Sequence, residues 1–181
     1  MNLKVVILGC FMFTFYNAVQ AQVIGTFFPE MVAETAEDKE VVLPEEIKGK
    51  FTLLGLAYSK KSESDLNTWF SPVYNTFIRE STGLFASFAY DVNVYFVPMF
   101  TGVKAAATGT AKSKAVKNLD PKLLPHILFY KGKLKDYKEA LDFEKKDVPY
   151  FFVLDKEGKI VYATSGKFTG EKMEEIEEVL E

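Results

Sequence analysis

Three groups of residues could carry chemistry here: a single cysteine, Cys10; a single histidine, His126; and the polar run SKKSES, residues 59–64. A metal centre on His126 needs carboxylates at ligand spacing to complete it, and the sequence around it offers none. A Ser-His-Asp triad would also have to use His126, yet no Gly-x-Ser-x-Gly turn presents a serine. His126 follows Pro125 at a strand entrance and reads as a structural or surface residue. Glu45, Glu46 and the C-terminal glutamates fall on expected exposed faces, where burial cannot raise a carboxyl pKa for acid catalysis. The loop TGVKAAATGT, residues 101–110, lacks the Gly-Lys-Ser/Thr end of a phosphate cradle. No catalytic residue, metal site or cofactor is therefore expected, and an enzyme of unrecognised kind is the alternative.

Cys10 lies within an apolar stretch, Val5 to Tyr16, preceded by Lys4 and followed by small residues at Val19 and Ala21. This is the pattern of a secretory signal cut after Ala21. It is shorter than the roughly 18 apolar residues of a membrane span, an uncleaved anchor being the alternative. ILGC at Ile7 to Cys10 resembles a lipoprotein box whose apolar core is too short. Cleavage would take the only cysteine with it and exclude disulfide exchange, peroxide reduction through cysteine and thiolate metal sites. The expected location is the periplasm or the exterior, with membrane association if the anchor stays.

The elements that must position these residues follow from pattern. A chain of 181 residues, 48% hydrophobic and 26% charged, describes one ordinary globular domain. Its net charge of −3 and lack of a dense Lys/Arg run give a nucleic acid nothing to hold. Residues 22–40 read as an irregular N-terminal arm before a domain over 41–181. Val41 to Leu43 reads as a short edge strand ended by Pro44, and Phe51 to Tyr58 as a strand covered on both faces. Ser62 or Ser64 caps a helix in which Leu66, Trp69, Phe70, Val73 and Phe77 face the core and Pro72 causes a kink. Asp91 to Phe100 is a strand with Tyr95, Val97 and Met99 on one face and Val94 and Phe96 on the other. Thr110 to Leu119 reads as a helix, Pro125 to Tyr130 as a strand and Leu134 to Phe143 as a helix. Tyr150 to Leu154 and Lys159 to Thr164 form a hairpin turning at Gly158, and Gly170 to Leu180 is an amphipathic helix. This order gives an α/β fold, a sheet covered by helices.

GKFTLLGLAYSKKSESDLNTWFSPV, residues 49–73, and DVPYFFVLDKEGKIVYATSG, residues 147–166, resemble the thioredoxin-like superfamily over Val41 to Leu180. That resemblance implies a central mixed sheet flanked by helices and a cis Pro149 facing the loop before the first core helix. It also places the family's Cys-x-x-Cys between Lys60 and Asn67, where this chain has no cysteine. VVLPEEIKGKFTLLGLAYS, FYKGKLKDYKEALDF and FFVLDKEGKIVYATSG further resemble the ATP synthase assembly chaperones of mitochondria. A peroxiredoxin-like or cytochrome-assembly-like relative that has lost its cysteines is the alternative.

A helix start bearing Lys60, Lys61, Ser62 and Ser64, with Val148 and Pro149 opposite, would make a shallow groove for an extended peptide or small anion. Tyr58 and Phe168 would supply apolar contact. The expectation is a non-catalytic assembly factor or chaperone of the cell envelope that binds a polypeptide, a membrane-protein subunit among the candidates. The competing reading is a capped helix start left behind by lost redox chemistry.

Overall fold

The near-continuous apolar run Phe51–Ala57 forms a strand that is covered on both faces, and the rest of the sheet is arranged around it. A computed structural model of the protein describes residues 23–79 and 90–181. The expected signal segment, Cys10 included, lies outside the described residues. Seven strands are present among these residues: β1 (Met31–Glu34), β2 (Glu40–Leu43), β3 (Phe51–Ala57), β4 (Val92–Thr101), β5 (Phe129–Gly132), β6 (Tyr150–Leu154) and β7 (Ile160–Ser165). They join in the order β2-β1-β5-β4-β3-β6-β7. The β3–β4 and β4–β5 pairs are parallel; β3–β6, β6–β7, β1–β5 and β1–β2 are antiparallel. The helices are α1 (Lys60–Val73), α2 (Thr108–Asn118), α3 (Lys135–Ala140) and α4 (Gly170–Leu180).

Strand alternation splits the core into two layers. Leu54, Leu56, Val97, Met99 and Phe152 pack with Tyr137 and Leu141 on the α3 side. Leu53, Val94, Phe96, Phe151 and Val153 meet Leu66, Trp69 and Val73 of α1 and Met173 and Ile176 of α4 on the other. The expected faces of β4 are thus the observed ones. Gly55 is needed at the centre: a Cβ there would lie 2.6 Å from Phe151 Cε1. Gly158, at φ +88°, supplies the left-handed turn of the β6–β7 hairpin, where Asp155 Oδ1 accepts the Glu157 and Lys159 N–H groups.

Several boundaries differ from the sequence expectation. Part of the arm, Met31–Glu34, is a paired strand between β2 and β5. Its apolar residues are too few for a period to be visible. Lys112 of α2 is buried and ion-paired to Glu34 and Asp38, which fastens the β1–β2 hairpin to the helix layer. Pro125 sits in a 3-10 turn, Leu124–His126, so β5 begins only at Phe129. The α2 helix starts at Thr108 after a 3-10 stretch over Gly102–Ala107, and α3 ends at Ala140, just before Asp142 at φ +51°. Pro72 does not break its helix; the chain runs on from Val73 into a π-helical turn, Tyr74–Ile78.

Candidate functional site

The strand-to-helix junction after β3 is closed by two serines. Ser59, extended at φ −137° and ψ 160°, is the N-cap of α1. Its Oγ accepts the Ser62 N–H at 3.0 Å, and Ser62 Oγ accepts the Ser59 N–H at 2.9 Å, a reciprocal capping box. Ser62 Oγ also accepts the Tyr58 N–H at 3.1 Å and donates to the Ser59 carbonyl at 3.0 Å. The helix thus begins at Lys60, and Ser59 rather than Ser62 or Ser64 caps it. A cap needs a residue outside helical geometry whose side chain turns back on the first turn, and Ser62 and Ser64 are already inside the helix.

Ser59 Oγ donates to Asp147 Oδ1 at 2.9 Å, which draws the loop before β6 onto the helix start. The structure therefore brings Ser62 together with the loop carrying Val148 and Pro149. Ser62 and Pro149 are buried, Val148 is half-buried, and Lys60, Lys61 and Ser64 are exposed. The Pro149 carbonyl accepts the Gly166 N–H at 2.8 Å. The implied cis bond at Pro149 is corrected: among the described residues the cis peptide is Leu43–Pro44, and Val148–Pro149 is trans, as most X–Pro bonds are.

Tyr58 is buried, stacks on Phe143 with ring centroids 5.4 Å apart, and donates its hydroxyl to the Lys145 carbonyl at 3.0 Å. Burial, helped by the neighbouring Tyr150 and Asp147, pushes its phenol pKa up to about 12. Tyr150 accepts the Lys145 N–H at 2.7 Å and donates to the same carbonyl. Phe168 stands apart, edge-on to Trp69 at 5.4 Å, its N–H donated to Thr68 Oγ1. His126 places Nδ1 2.9 Å from the Val94 carbonyl, a structural contact. No group of three or more His, Cys, Asp or Glu able to hold a metal is found among the described residues.

Sequence reasoning overlooked Ser59 and Asp147, and took Asp65 only as a charge that complements the helix start. The signal for Ser59 was the Ser-x-x-Ser spacing itself, which is that of a capping box and also of a Cys-x-x-Cys. Oγ of Ser59 and Oγ of Ser62 are 3.2 Å apart. The Ser-x-x-Ser pair starts one residue before the window in which the resemblance places the Cys-x-x-Cys.

Asp65 accepts Lys61 Nζ at 2.8 and 3.0 Å and lies 3.7 Å from Lys167 Nζ. The Lys61 hydrogen bond is the main cause holding its carboxyl below the usual value of 3.8. A depressed folded-state pKa stabilises the protein above the unfolded value, and that contribution is lost as pH falls through the folded one. Asp65→Asn is therefore expected to be less stable than wild type at pH 7, with the gap narrowing below about pH 4. Urea unfolding at pH 7 and pH 3 checks this, and a gap of constant size contradicts it.

A profile of the ATP10 protein family matches residues 24–181. No curated protein matches the chain. Among solved structures, the chain is similar to the pneumococcal exposed lipoprotein thioredoxin Etrx1 from Streptococcus pneumoniae, at 16% identity and TM-score 0.53, covering 84% of this chain and 100% of that one. It is similar to a DsbF homologue from Corynebacterium diphtheriae, at 14% identity and TM-score 0.52, covering 95% and 100%. A 2-Cys peroxiredoxin from Plasmodium vivax is similar at 15% identity and TM-score 0.53, covering 87% and 94%. These likenesses show a thioredoxin-like fold. The sequence holds one cysteine, so no Cys-x-x-Cys accompanies that fold. With the profile spanning almost the whole described chain, the protein belongs to the ATP10 protein family, the ATP synthase assembly family that its loop and hairpin segments resemble.

Proposed function

We propose that the protein is a non-catalytic assembly factor that holds a polypeptide subunit of a membrane complex. The observation that carries this reading is the closed serine pair. At the start of the first core helix, next to the window where the resemblance implies a dithiol, Ser59 and Ser62 are buried and bonded to each other, to Tyr58 and to Asp147. His126, bonded to the Val94 carbonyl, is not placed to activate either hydroxyl. Membership of the ATP10 protein family supports an assembly-type role. Partner contact at this end of the molecule falls to the exposed Lys60, Lys61 and Ser64 and the half-buried Val148 and Phe168. Lys4, the apolar run Val5 to Tyr16 and Ala21 support export through a cleaved signal into the cell envelope.

Native electrophoresis of membranes from cells lacking the protein tests the reading. The expected result is loss of one assembled complex, accumulation of one of its subunits unassembled, and rescue by the Ser59→Ala, Ser62→Ala variant if it folds. A normal level of every membrane complex contradicts it.

A further inference from the structure

The α1 and α2 helices stand apart over the sheet, whose side chains between them are nearly fully buried. A groove of about 290 Å³ opens there onto Phe100, Ile127 and Phe129. Its α2 wall is formed by Ala111 and Ala115, which at i, i+4 spacing set two methyl groups where longer side chains would reach α1. Asn67 of α1 and Lys114 and Asn118 of α2 line it as well, and Glu63 of α1 is the one acid in the lining. The volume lies at the lower limit of the roughly 300–1,000 Å³ typical of small-molecule sites, and suits a few inserted side chains better than a cofactor.

Charge selects the occupant. The α2 sequence TGTAKSKAVKN contains three lysines and no acid. Lys112 is held by Glu34 and Asp38, whereas among the described residues Lys114 and Lys117 make no ion pair. Lys60, Ser64 and Asn67, at i, i+4 and i+7, form an exposed stripe along α1 that leads from the proposed contact end into the groove.

We infer that the groove seats an amphipathic helix of the partner polypeptide, its apolar stripe between Ala111, Ala115 and Phe100 and its acidic edge against Lys114 and Lys117. This rests on the binding role above and specifies where and by what chemistry the partner docks.

The test uses two dye-labelled synthetic helical peptides with Leu and Phe at i, i+3, i+4 and i+7, one carrying Glu and the other Lys at the flanking positions. Fluorescence anisotropy with the full chain is expected to give at least tenfold tighter binding of the Glu peptide, weakening as salt is raised. Ala115→Phe, which fills the groove, is expected to abolish binding, and Lys114→Glu to cut the preference severalfold, both with unchanged thermal melts. Equal affinity for the two peptides, binding of neither, or binding untouched by Ala115→Phe overturns the inference. A dimer in light scattering that Ala115→Phe disperses would assign the groove to a second copy and also overturn it. If the variant restores membrane-complex assembly in full, the groove assignment fails while the assembly role stands.

Discussion

Replacing the serine pair by cysteines, Ser59→Cys with Ser62→Cys, is expected to close an intramolecular disulfide under mild oxidation. The two hydroxyls already lie 3.2 Å apart at the N-terminus of α1, and a disulfide needs a sulfur separation of about 2.05 Å with Cβ atoms about 3.8 Å apart. The expected shift is small because the i, i+3 placement is set by the cap geometry and not by the hydroxyls alone. Thiol titration reads the outcome: the two introduced thiols disappear on oxidation. The helix N-terminus favours thiolate, but the Asp147 carboxylate, 2.9 Å from Ser59 Oγ, opposes it. Adding Asp147→Asn to the cysteine pair is therefore expected to speed closure. Two thiols that stay free in a folded variant would mean that this junction lacks the dithiol geometry of its fold.

Trp69→Ala is expected to destabilise the protein by about 3–5 kcal/mol, the range for deleting a fully buried large aromatic. Trp69 is fully buried, stacks on Phe151 with centroids 4.0 Å apart, and donates Nε1–H to the Gly166 carbonyl at 3.0 Å. It holds α1 against both the sheet and the loop after β7. Lys172 clamps the same loop, donating Nζ–H to the Ser165 and Lys167 carbonyls. Trp69→Phe keeps most of the packing and leaves the Gly166 carbonyl short of a donor, for a cost of about 1–3 kcal/mol. Urea unfolding followed by circular dichroism measures both. Near-equal losses would show that the hydrogen bond, not the packing, dominates.

The central sheet was legible because its strands carry strong local signals. Phe51–Ala57 is nearly unbroken in apolar residues, β4 alternates cleanly between two faces, and the β6–β7 hairpin announces itself through Asp155 and Gly158. The helix at Gly170–Leu180 was readable to the residue, its apolar positions spaced three apart at Met173 and Ile176. The strand at Met31–Glu34 was not, because a four-residue strand has no period and its place depends on β5, about a hundred residues along the chain. At the site, sequence located the junction but not its closure. The Ser59–Asp147 bond joins residues distant in sequence, and only the folded sheet brings β3 and β6 side by side. The same holds for the α1–α2 groove, whose α2 wall reads in sequence merely as a helix.

The central claim is that this thioredoxin-like chain acts by holding a polypeptide rather than by chemistry at the start of α1. In-cell photo-crosslinking from position 64, on the exposed face of α1, tests it most directly, with position 174 on the solvent face of α4 as the control. The account predicts that one subunit of a membrane complex is captured from position 64 and not from position 174. No specific capture from position 64, or the same products from both positions, would contradict it.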